Sequence, residues 1–427
     1  MMINSVRKDI WINSYPIFLW LALEPIVGLI DSKIASVINL DTLSAIGIGE
    51  TIYFVFIWVF IFLAYGTTPL VSSFNTKNEI NKLNYFINFG RNVSILLGLG
   101  SFVILYISSD YLVSTFQPTA NIKLLSSDYL VLRCIGLPFY LINMHSTAVL
   151  RGLKYAKITF YSALIVSISN VFFSLLFGLY LGLGAGGIGF ASSLAFFCAS
   201  IYSTIILKKQ LSDIPSSKEQ IDKPSLQKKF FSVGVYILIR SLFLTLFMAY
   251  LRNRSSLMSM QEIALQHILL QLWSASYIFV DAIAIASQTL IAELISKKEQ
   301  YQKSTLQKEL LLVTTFISFI LAIITVIFLN NFVELFVGDN FDLFIDFQLR
   351  LLVAMSLFIG CYAFLWDGVL LGLDRPKEFS FLTVASSIAG FLVCAYLLRT
   401  QNTIPTLWIG LNVSLIFRSL LGYVYQK

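Results

Sequence analysis

Long apolar stretches, separated by short polar or charged segments, dominate the pattern along this chain. Because about 20 apolar residues in a helix cross a bilayer core, each such stretch predicts one transmembrane helix. The predicted spans are 14–38, 47–73, 87–108, 125–149, 158–181, 186–207, 229–251, 261–294, 310–330, 347–371, 379–398 and 404–425. The eighth is too long for a straight crossing, so we expect it to tilt or to protrude. The pattern predicts an all-α polytopic membrane protein with 12 transmembrane helices.

The two halves of the chain show signs of a duplication. At a fixed offset of 220 residues, AVLRGLKYAK from Ala148 aligns with GVLLGLDRPK from Gly368, with five identities in ten positions. The charged connector between the halves predicts an N-terminal six-helix lobe at 1–207, a cytoplasmic linker at 208–228 and a C-terminal six-helix lobe at 229–427. Because each half crosses the membrane six times, an even number, both halves begin on the same side of the membrane. We therefore expect the lobes to be related by a pseudo-twofold axis along the membrane normal.

Composition supports a membrane environment and orients the chain. Of 427 residues, 57% are hydrophobic and 12% are charged, about half the charged share of soluble domains. The net charge of +7 does not indicate a nucleic-acid partner, because the basic residues lie in short segments between apolar stretches. Loops on the side of both termini, counted with the five adjoining residues of each span, carry 21 Lys and Arg, against 5 on the other side, which predicts cytoplasmic termini in a plasma (inner) membrane.

The sequence contains no motif of a known catalytic or metal centre. The four Cys and two His form no CxxC pair or ligand spacing typical of zinc, and no hydrolase elbow or phosphate-binding loop is present. We therefore expect no enzyme activity, no cofactor and no firmly bound metal.

Ionisable residues within the spans are costly to insert and so carry the functional information. In the first span Glu24 and Asp31 are seven residues apart, about two helical turns, and share a face. A carboxylate there can exchange a proton as a cavity opens to either side, bind a sodium ion, pair with a cationic substrate, or simply pair with a neighbouring donor. Pro16 and Pro25 weaken the same helix, which suits either a bending gate or a static kink.

Polar side chains in spans four to six extend this candidate site. Asn170 and Ser174 are one turn apart and share a face, while Thr147 and Ser192 supply hydroxyls from neighbouring helices. Hydroxyls inside membrane helices commonly bond to their own backbone instead. The predicted assignments are ion coupling for Asp31, Asn170 and Ser174, and substrate binding for Glu24, Thr147 and Ser192.

In the second lobe the charged residues within spans include Arg240, Asp281 and Asp367. These three residues form either a neutralised charge network, for structure or gating, or a direct ion or substrate site. The predicted gating and charge-network residues are therefore Pro16, Pro25, Arg240, Asp281 and Asp367.

Four segments carry a family pattern along nearly the whole chain. They are EPIVGLIDSKIASVINLDTLSAIGIG from Glu24, LRGLKYAK from Leu150, LQHILLQLWSASYIFVDAIAIASQTLIAELI from Leu265 and WDGVLLG from Trp366. Together they resemble the MATE (multidrug and toxic compound extrusion) family, and within it the DinF-like branch.

The resemblance implies a V-shaped pair of six-helix lobes that exports organic, often cationic or amphipathic, compounds in exchange for protons or sodium ions. It implies that Asp31 is the cation-coupling acid, that Pro16 bends the first helix, and that any sodium ion lies at Asp31 and Asn170. Ser174 replaces an acid of the family pattern, and Lys33 occupies a usually small position. These departures point to a different ion, a different substrate or a weakened exchanger.

We therefore predict a monomeric secondary active efflux transporter that works by alternating access, with a small-molecule substrate, H+ or Na+ and the lipid bilayer as its partners. Two alternatives remain open. A lipid-linked substrate flippase needs a hydrophobic groove and a cationic headgroup site, and a membrane-embedded transferase needs an acid or His cluster at one membrane face.

Overall fold

The computed structural model describes residues 2–212, 222–255, 258–337, 345–399 and 402–426, which form a succession of helices joined by short turns. The helices are α1 (Met2–Ile38), α2 (Leu40–Val59), α3 (Phe62–Tyr65), α4 (Thr67–Thr76), α5 (Ile80–Ser114), α6 (Ala120–Cys134), α7 (Leu137–Gly152), α8 (Ala156–Phe173), α9 (Gly184–Ser212), α10 (Lys223–Ser255), α11 (Met260–Ser276), α12 (Ile278–Ser296), α13 (Gln300–Val337), α14 (Phe347–Gly372), α15 (Pro376–Leu397) and α16 (Ile404–Tyr425). A π-helix, Ser174–Tyr180, continues α8.

Ten helical segments of the described chain are long and apolar enough to cross a membrane, and the pair α6–α7 adds an eleventh if it counts as one span. The remaining predicted span, 14–38, lies within α1, which is helical throughout. The all-α, multi-span architecture predicted from the sequence is thereby confirmed.

Several crossings are interrupted rather than straight. The segment Leu40–Thr76 consists of α2, α3 and α4, and α6 and α7 meet at a 45° bend. The long eighth span, for which the sequence indicated a tilt or a protruding end, is divided at Tyr277 into α11 and α12. In contrast, α1 continues as a helix through both Pro16 and Pro25.

The helices group into two compact units. The first unit is Tyr15–Gly234, and the second is Met1–Ser14 together with Val235–Lys427. This division differs from the predicted lobes because the first fourteen residues belong to the second unit. There Arg7 Nε lies 2.6 Å from Glu309 Oε2, and Ile10 is fully buried in an apolar cluster with side chains of α12 to α14. An ion pair and a buried side chain thus hold the start of α1 in that unit.

The connector between the halves is partly helical. Within the predicted linker 208–228, α9 continues to Ser212 and α10 begins at Lys223. The rest of the linker, residues 213–221, lies outside the described part of the chain.

Packing in the first unit determines which face of α1 points inward. Ile34 and Ala35 are buried in one apolar cluster with residues of α2, α6 and α9. They lie three and four residues after Asp31, so all three share a helix face. The apolar contacts of α1 therefore turn the Asp31 side chain into the unit, while Lys33 is exposed.

The duplication is visible in the turns that end corresponding helices. Lys154 and Asp374, which the offset found in the sequence pairs with each other, have left-handed φ angles of 68° and 58°. Asn78 and Lys298, paired by the same offset, have φ angles of 55° and 59°. In each turn the backbone N–H of the left-handed residue donates to the carbonyl three residues earlier. Non-glycine residues seldom adopt this conformation, so its recurrence at one offset supports a common origin for the halves.

Close helix packing recurs at the same offset. A Cβ at Gly152 would lie 2.6 Å from the Thr68 carbonyl oxygen, and a Cβ at Gly372 would lie 3.0 Å from the Gln288 carbonyl oxygen. The offset that pairs Gly152 with Gly372 also pairs Thr68 with Gln288. Glycine at these positions lets α7 approach α4, and α14 approach α12, at backbone distance.

We expect Gly152→Ala to lower stability by about 1–3 kcal/mol, because its Cβ meets a backbone carbonyl that cannot rotate away. Gly100→Ala is the matched control, since a Cβ at Gly100 would have no atom within 4 Å. Thermal unfolding of both variants in detergent measures the difference. Equal midpoints for the two variants would contradict the close contact.

Candidate functional site

The buried acid of α1 is the centre of the polar site in the first unit. Asp31 is 3% exposed, and its Oδ1 accepts a hydrogen bond of 2.9 Å from the Ser174 hydroxyl. The Asn170 amide also interacts with the Asp31 carboxylate. The structure therefore brings together the three residues that the sequence predicted for ion coupling, although they come from helices far apart along the chain.

A change of helix type places the Ser174 hydroxyl. The α8 helix gives way to the π-helix at Ser174, and the wider turn is seen in the 2.8 Å bond from Leu181 N to Leu176 O. The adjoining glycines are tightly packed: a Cβ at Gly187 of α9 would lie 2.7 Å from the Phe177 carbonyl oxygen. Single π turns inside helices are frequent at functional sites. Here the π-helix begins at a residue that contacts the buried acid.

The α9 helix contributes the next polar side chain. Ser192 is 2% exposed, and its hydroxyl oxygen accepts a 2.9 Å hydrogen bond from Asn170 Nδ2. The Asn170 Oδ1 atom is buried and has no hydrogen-bond partner among the described residues. Ser192, predicted for substrate binding, thus contacts the predicted ion-coupling residues directly.

Sequence reasoning missed an arginine and a glutamate beside this group. Arg133 of α6 donates to the Ser192 hydroxyl at 3.2 Å and to the Tyr129 hydroxyl, and its Nη1 lies 3.4 Å from Glu50 Oε1. The guanidinium carbon lies 4.6 Å from the Tyr53 ring centroid and 5.5 Å from that of Tyr129. The sequence feature that could have indicated these two residues was a single Arg within one apolar span and a single Glu within another. We call the following residues the first-unit polar cluster: Asp31, Glu50, Tyr53, Tyr129, Arg133, Asn170, Ser174 and Ser192.

Of the other residues predicted for substrate binding, Thr147 stands apart from this cluster. The Thr147 hydroxyl bonds back to its own helix, donating to the carbonyl oxygens of Asn143 at 2.8 Å and Met144 at 3.1 Å. The side chain of Glu24 lies outside the described part of the structure. The helix prolines differ in environment, because Pro16 is buried and Pro25 is exposed.

The second unit holds its own charge network around Asp367 of α14. Arg240 Nη2 lies 2.9 Å from Asp367 Oδ2, and Arg418 of α16 donates to both carboxylate oxygens. Asp281 is close enough to Arg240, Asp367 and Arg418 to interact electrostatically with all three. The three charged residues predicted as a network therefore come together, and Arg418, which sequence reasoning did not assign, supplies the second positive charge.

Aromatic rings cover both guanidinium groups. The Arg240 guanidinium carbon is 5.1 Å from the Phe379 ring centroid, and that of Arg418 is 5.2 Å from the Phe364 centroid. Cation–π contacts of this kind stabilise a desolvated guanidinium. With two arginines and two aspartates, this second-unit charge network (Arg240, Asp281, Asp367 and Arg418) has no formal net charge when all four groups are ionised.

Among the described residues no group of three or more His, Cys, Asp and Glu is placed to hold a metal ion. The two clusters instead combine few carboxylates with guanidinium, hydroxyl and amide groups inside membrane-spanning helices. Such a protein, all-helical and polytopic with buried ionisable clusters, has the general features of a membrane transporter.

Comparison with known proteins shows which family the chain resembles. The MatE family model matches residues 16–176. Protein DETOXIFICATION 44, chloroplastic, of Arabidopsis thaliana is 23% identical over 434 residues, which covers 98% of this chain and 82% of the relative. Probable multidrug resistance protein NorM of Pasteurella multocida is 22% identical over 438 residues, which covers 98% and 93%.

The fold agrees with these matches. The crystal structure of the Vibrio cholerae MATE transporter VcmN in the bent form is similar with a TM-score of 0.89 at 15% identity, covering 100% of this chain and 97% of that chain. The chain is therefore similar to MATE proteins in sequence and in fold, the family model covering residues 16–176. The narrower DinF-like assignment remains a prediction.

We expect Arg240→Ala to reduce the yield of folded protein, because it leaves the buried Asp367 and the partly buried Asp281 with one guanidinium, at a cost of about 3–5 kcal/mol. Arg252→Ala, on the exposed side of the same helix, is the matched control and should behave as the unmodified protein. Size-exclusion profiles and unfolding midpoints in detergent provide the measurement. Normal yield and midpoint combined with altered substrate selectivity would instead assign Arg240 to direct binding.

Proposed function

We propose that this protein is a secondary active efflux transporter that exports organic, cationic or amphipathic compounds in exchange for H+ or Na+. The observation that carries the proposal is the Asp31 carboxylate, buried in the first unit and bonded to the Ser174 hydroxyl. A carboxylate with a hydroxyl and an amide as its neighbours can release and take up a cation without dismantling the surrounding packing. The match to the MatE family model over residues 16–176 and the likeness to proteins called multidrug resistance and DETOXIFICATION proteins support the same function.

In this proposal Asp31 binds the coupling cation, and Asn170 and Ser174 hold the carboxylate in place. The Asn170 Oδ1 atom is a further oxygen available to the bound ion. Ser192 keeps Asn170 oriented through the bond to its amide nitrogen. Glu24 remains a proposed substrate contact on the same face of α1, whereas the Thr147 hydroxyl is engaged with its own backbone.

Exchange requires two conformations of the protein, one favoured by the bound cation and the other by the bound substrate. Cation binding at Asp31 stabilises one state and substrate binding the other, so that each ligand drives the release of its counterpart on opposite sides of the membrane. Pro16 and Pro25 are the proposed bending positions of α1, since each lacks a backbone donor. In the second unit Arg240, Asp281 and Asp367 form the proposed charge network that stabilises one state.

We further propose a monomer in the plasma (inner) membrane with both termini in the cytoplasm, the orientation supported by the distribution of Lys and Arg between loops. The partners in transport are a small organic molecule, H+ or Na+, and the lipid bilayer.

We expect Asp31→Asn to abolish gradient-driven efflux while leaving the amount of membrane-inserted protein unchanged, because the amide retains the shape of the carboxylate but carries no negative charge and takes up no proton. The measurement is efflux of the organic cation ethidium from proteoliposomes under separately imposed pH and sodium gradients. Loss of at least about tenfold in rate is expected, since a required charge is removed.

Asp9→Asn is the matched control, as Asp9 lies on the same helix and is exposed. It should retain full exchange. Full exchange in Asp31→Asn would refute the coupling role, and substrate-independent movement of a fluorescent lipid across the bilayer by the unmodified protein would favour a flippase.

A further inference from the structure

An arginine deep within the first unit has no task in the function proposed above. Arg133 is 9% exposed and lies in α6, with its guanidinium beside the rings of Tyr53 and Tyr129. An arginine near the end of a membrane helix extends its side chain to the interface, whereas the buried Arg133 is held by its contacts with two rings. Because the guanidinium does not deprotonate in proteins, it keeps a positive charge at this position.

This guanidinium interacts electrostatically with two carboxylates, those of Glu50 and Asp31. Its Nη1 lies 3.4 Å from Glu50 Oε1, which is longer than a normal charge-assisted bond of about 2.8 Å. On the other side it donates to Ser192 at 3.2 Å, and Ser192 accepts from Asn170 beside Asp31. Arg133 is also electrostatically coupled to Asp31 directly. With both acids ionised, two negative charges face one positive charge, so a single additional positive charge neutralises the group.

The surroundings offer a metal cation few free oxygen ligands besides the Asp31 carboxylate, Asn170 Oδ1 being one of them. A hard metal cation needs a shell of several oxygen ligands. The Ser192 hydroxyl oxygen already accepts from Arg133 and Asn170 and donates to the Ile188 carbonyl at 3.3 Å, so it has no lone pair directed at Asp31. The guanidinium also repels any cation beside Asp31, a proton included, through a medium of low dielectric constant. A proton still binds, because it forms a covalent bond to one carboxylate oxygen and needs no ligand shell, whereas a sodium ion with few ligands has nothing to offset the repulsion.

We propose that Arg133 is a built-in counter-cation that excludes sodium from the Asp31 site and leaves the proton as the coupling ion. This inference rests on the proposed function, because a coupling ion presupposes exchange, but it concerns ion selectivity. Glu50 holds Arg133 in place, and the ring faces of Tyr53 and Tyr129 prevent its escape to the membrane surface.

The test is sodium-specific thermal stabilisation of purified protein in detergent, with choline chloride at equal concentration as the reference, because a cation that binds the folded state raises its unfolding midpoint. The unmodified protein should show no difference between the two salts. Arg133→Gln should acquire a sodium-specific shift that corresponds to at least about tenfold tighter binding, since a nearby like charge has been removed. Adding Asp31→Asn to Arg133→Gln should abolish that shift.

Arg133→Gln leaves Glu50 without its ion-pair partner and could therefore fail to fold. A second variant keeps the test informative in that case. The double variant Glu50→Gln with Arg133→Gln removes both charges together and should also acquire the sodium response. Arg252→Gln, an exposed arginine, should not. A sodium response in the unmodified protein that Asp31→Asn removes, or folded variants without any response, would overturn the inference.

These outcomes are separate from those of the transport experiment. Efflux that survives Asp31→Asn refutes the proposed function, whatever the sodium response. Efflux that depends on Asp31 but is driven equally well by sodium in the unmodified protein refutes only the exclusion by Arg133.

Discussion

The cost of placing charge in hydrocarbon is the constraint on which the structure depends. Every buried charge must either meet an opposite charge or be surrounded by hydrogen-bonding groups. In the second unit, Asp367 meets this requirement by receiving both Arg240 and Arg418. In the first unit the requirement is met less completely, because Arg133 faces both Glu50 and, through Ser192 and Asn170, Asp31. The incompletely neutralised cluster is the one at which we propose that a cation is exchanged.

Departures from regular helix geometry satisfy the same constraint. The π-helix begins where the Ser174 hydroxyl meets Asp31, and the glycine at position 187 allows α9 to approach closely enough for Ser192 to join the group. Likewise the break at Tyr277 separates α11 from α12, and the Tyr277 hydroxyl bonds to the Ser356 carbonyl at 2.7 Å. A regular helix at Ser174, or a larger side chain at position 187, would hold the polar groups of the first unit apart.

Much of the candidate site was predictable from the sequence, but not its full membership. Asn170 and Ser174 were found because they are one turn apart on one helix, and Asp31 because it is an acid within an apolar span. Glu50 and Arg133 each appear as single charges in different spans, and no local spacing relates them. Arg418 escaped assignment for the same reason. Thr147 was included on residue type, and the structure shows its hydroxyl bonded within its own helix.

The sequence by itself determined the apolar spans, the duplication at one fixed offset and the presence of a few charges inside the membrane. These features depend on hydrophobicity and spacing, which are local properties of the chain. Tertiary structure decided which charges meet, where α8 changes to a π-helix, and that the first fourteen residues belong with the second unit. The physical reason is that helix periodicity determines which residues share a face, whereas packing between helices decides which faces come into contact.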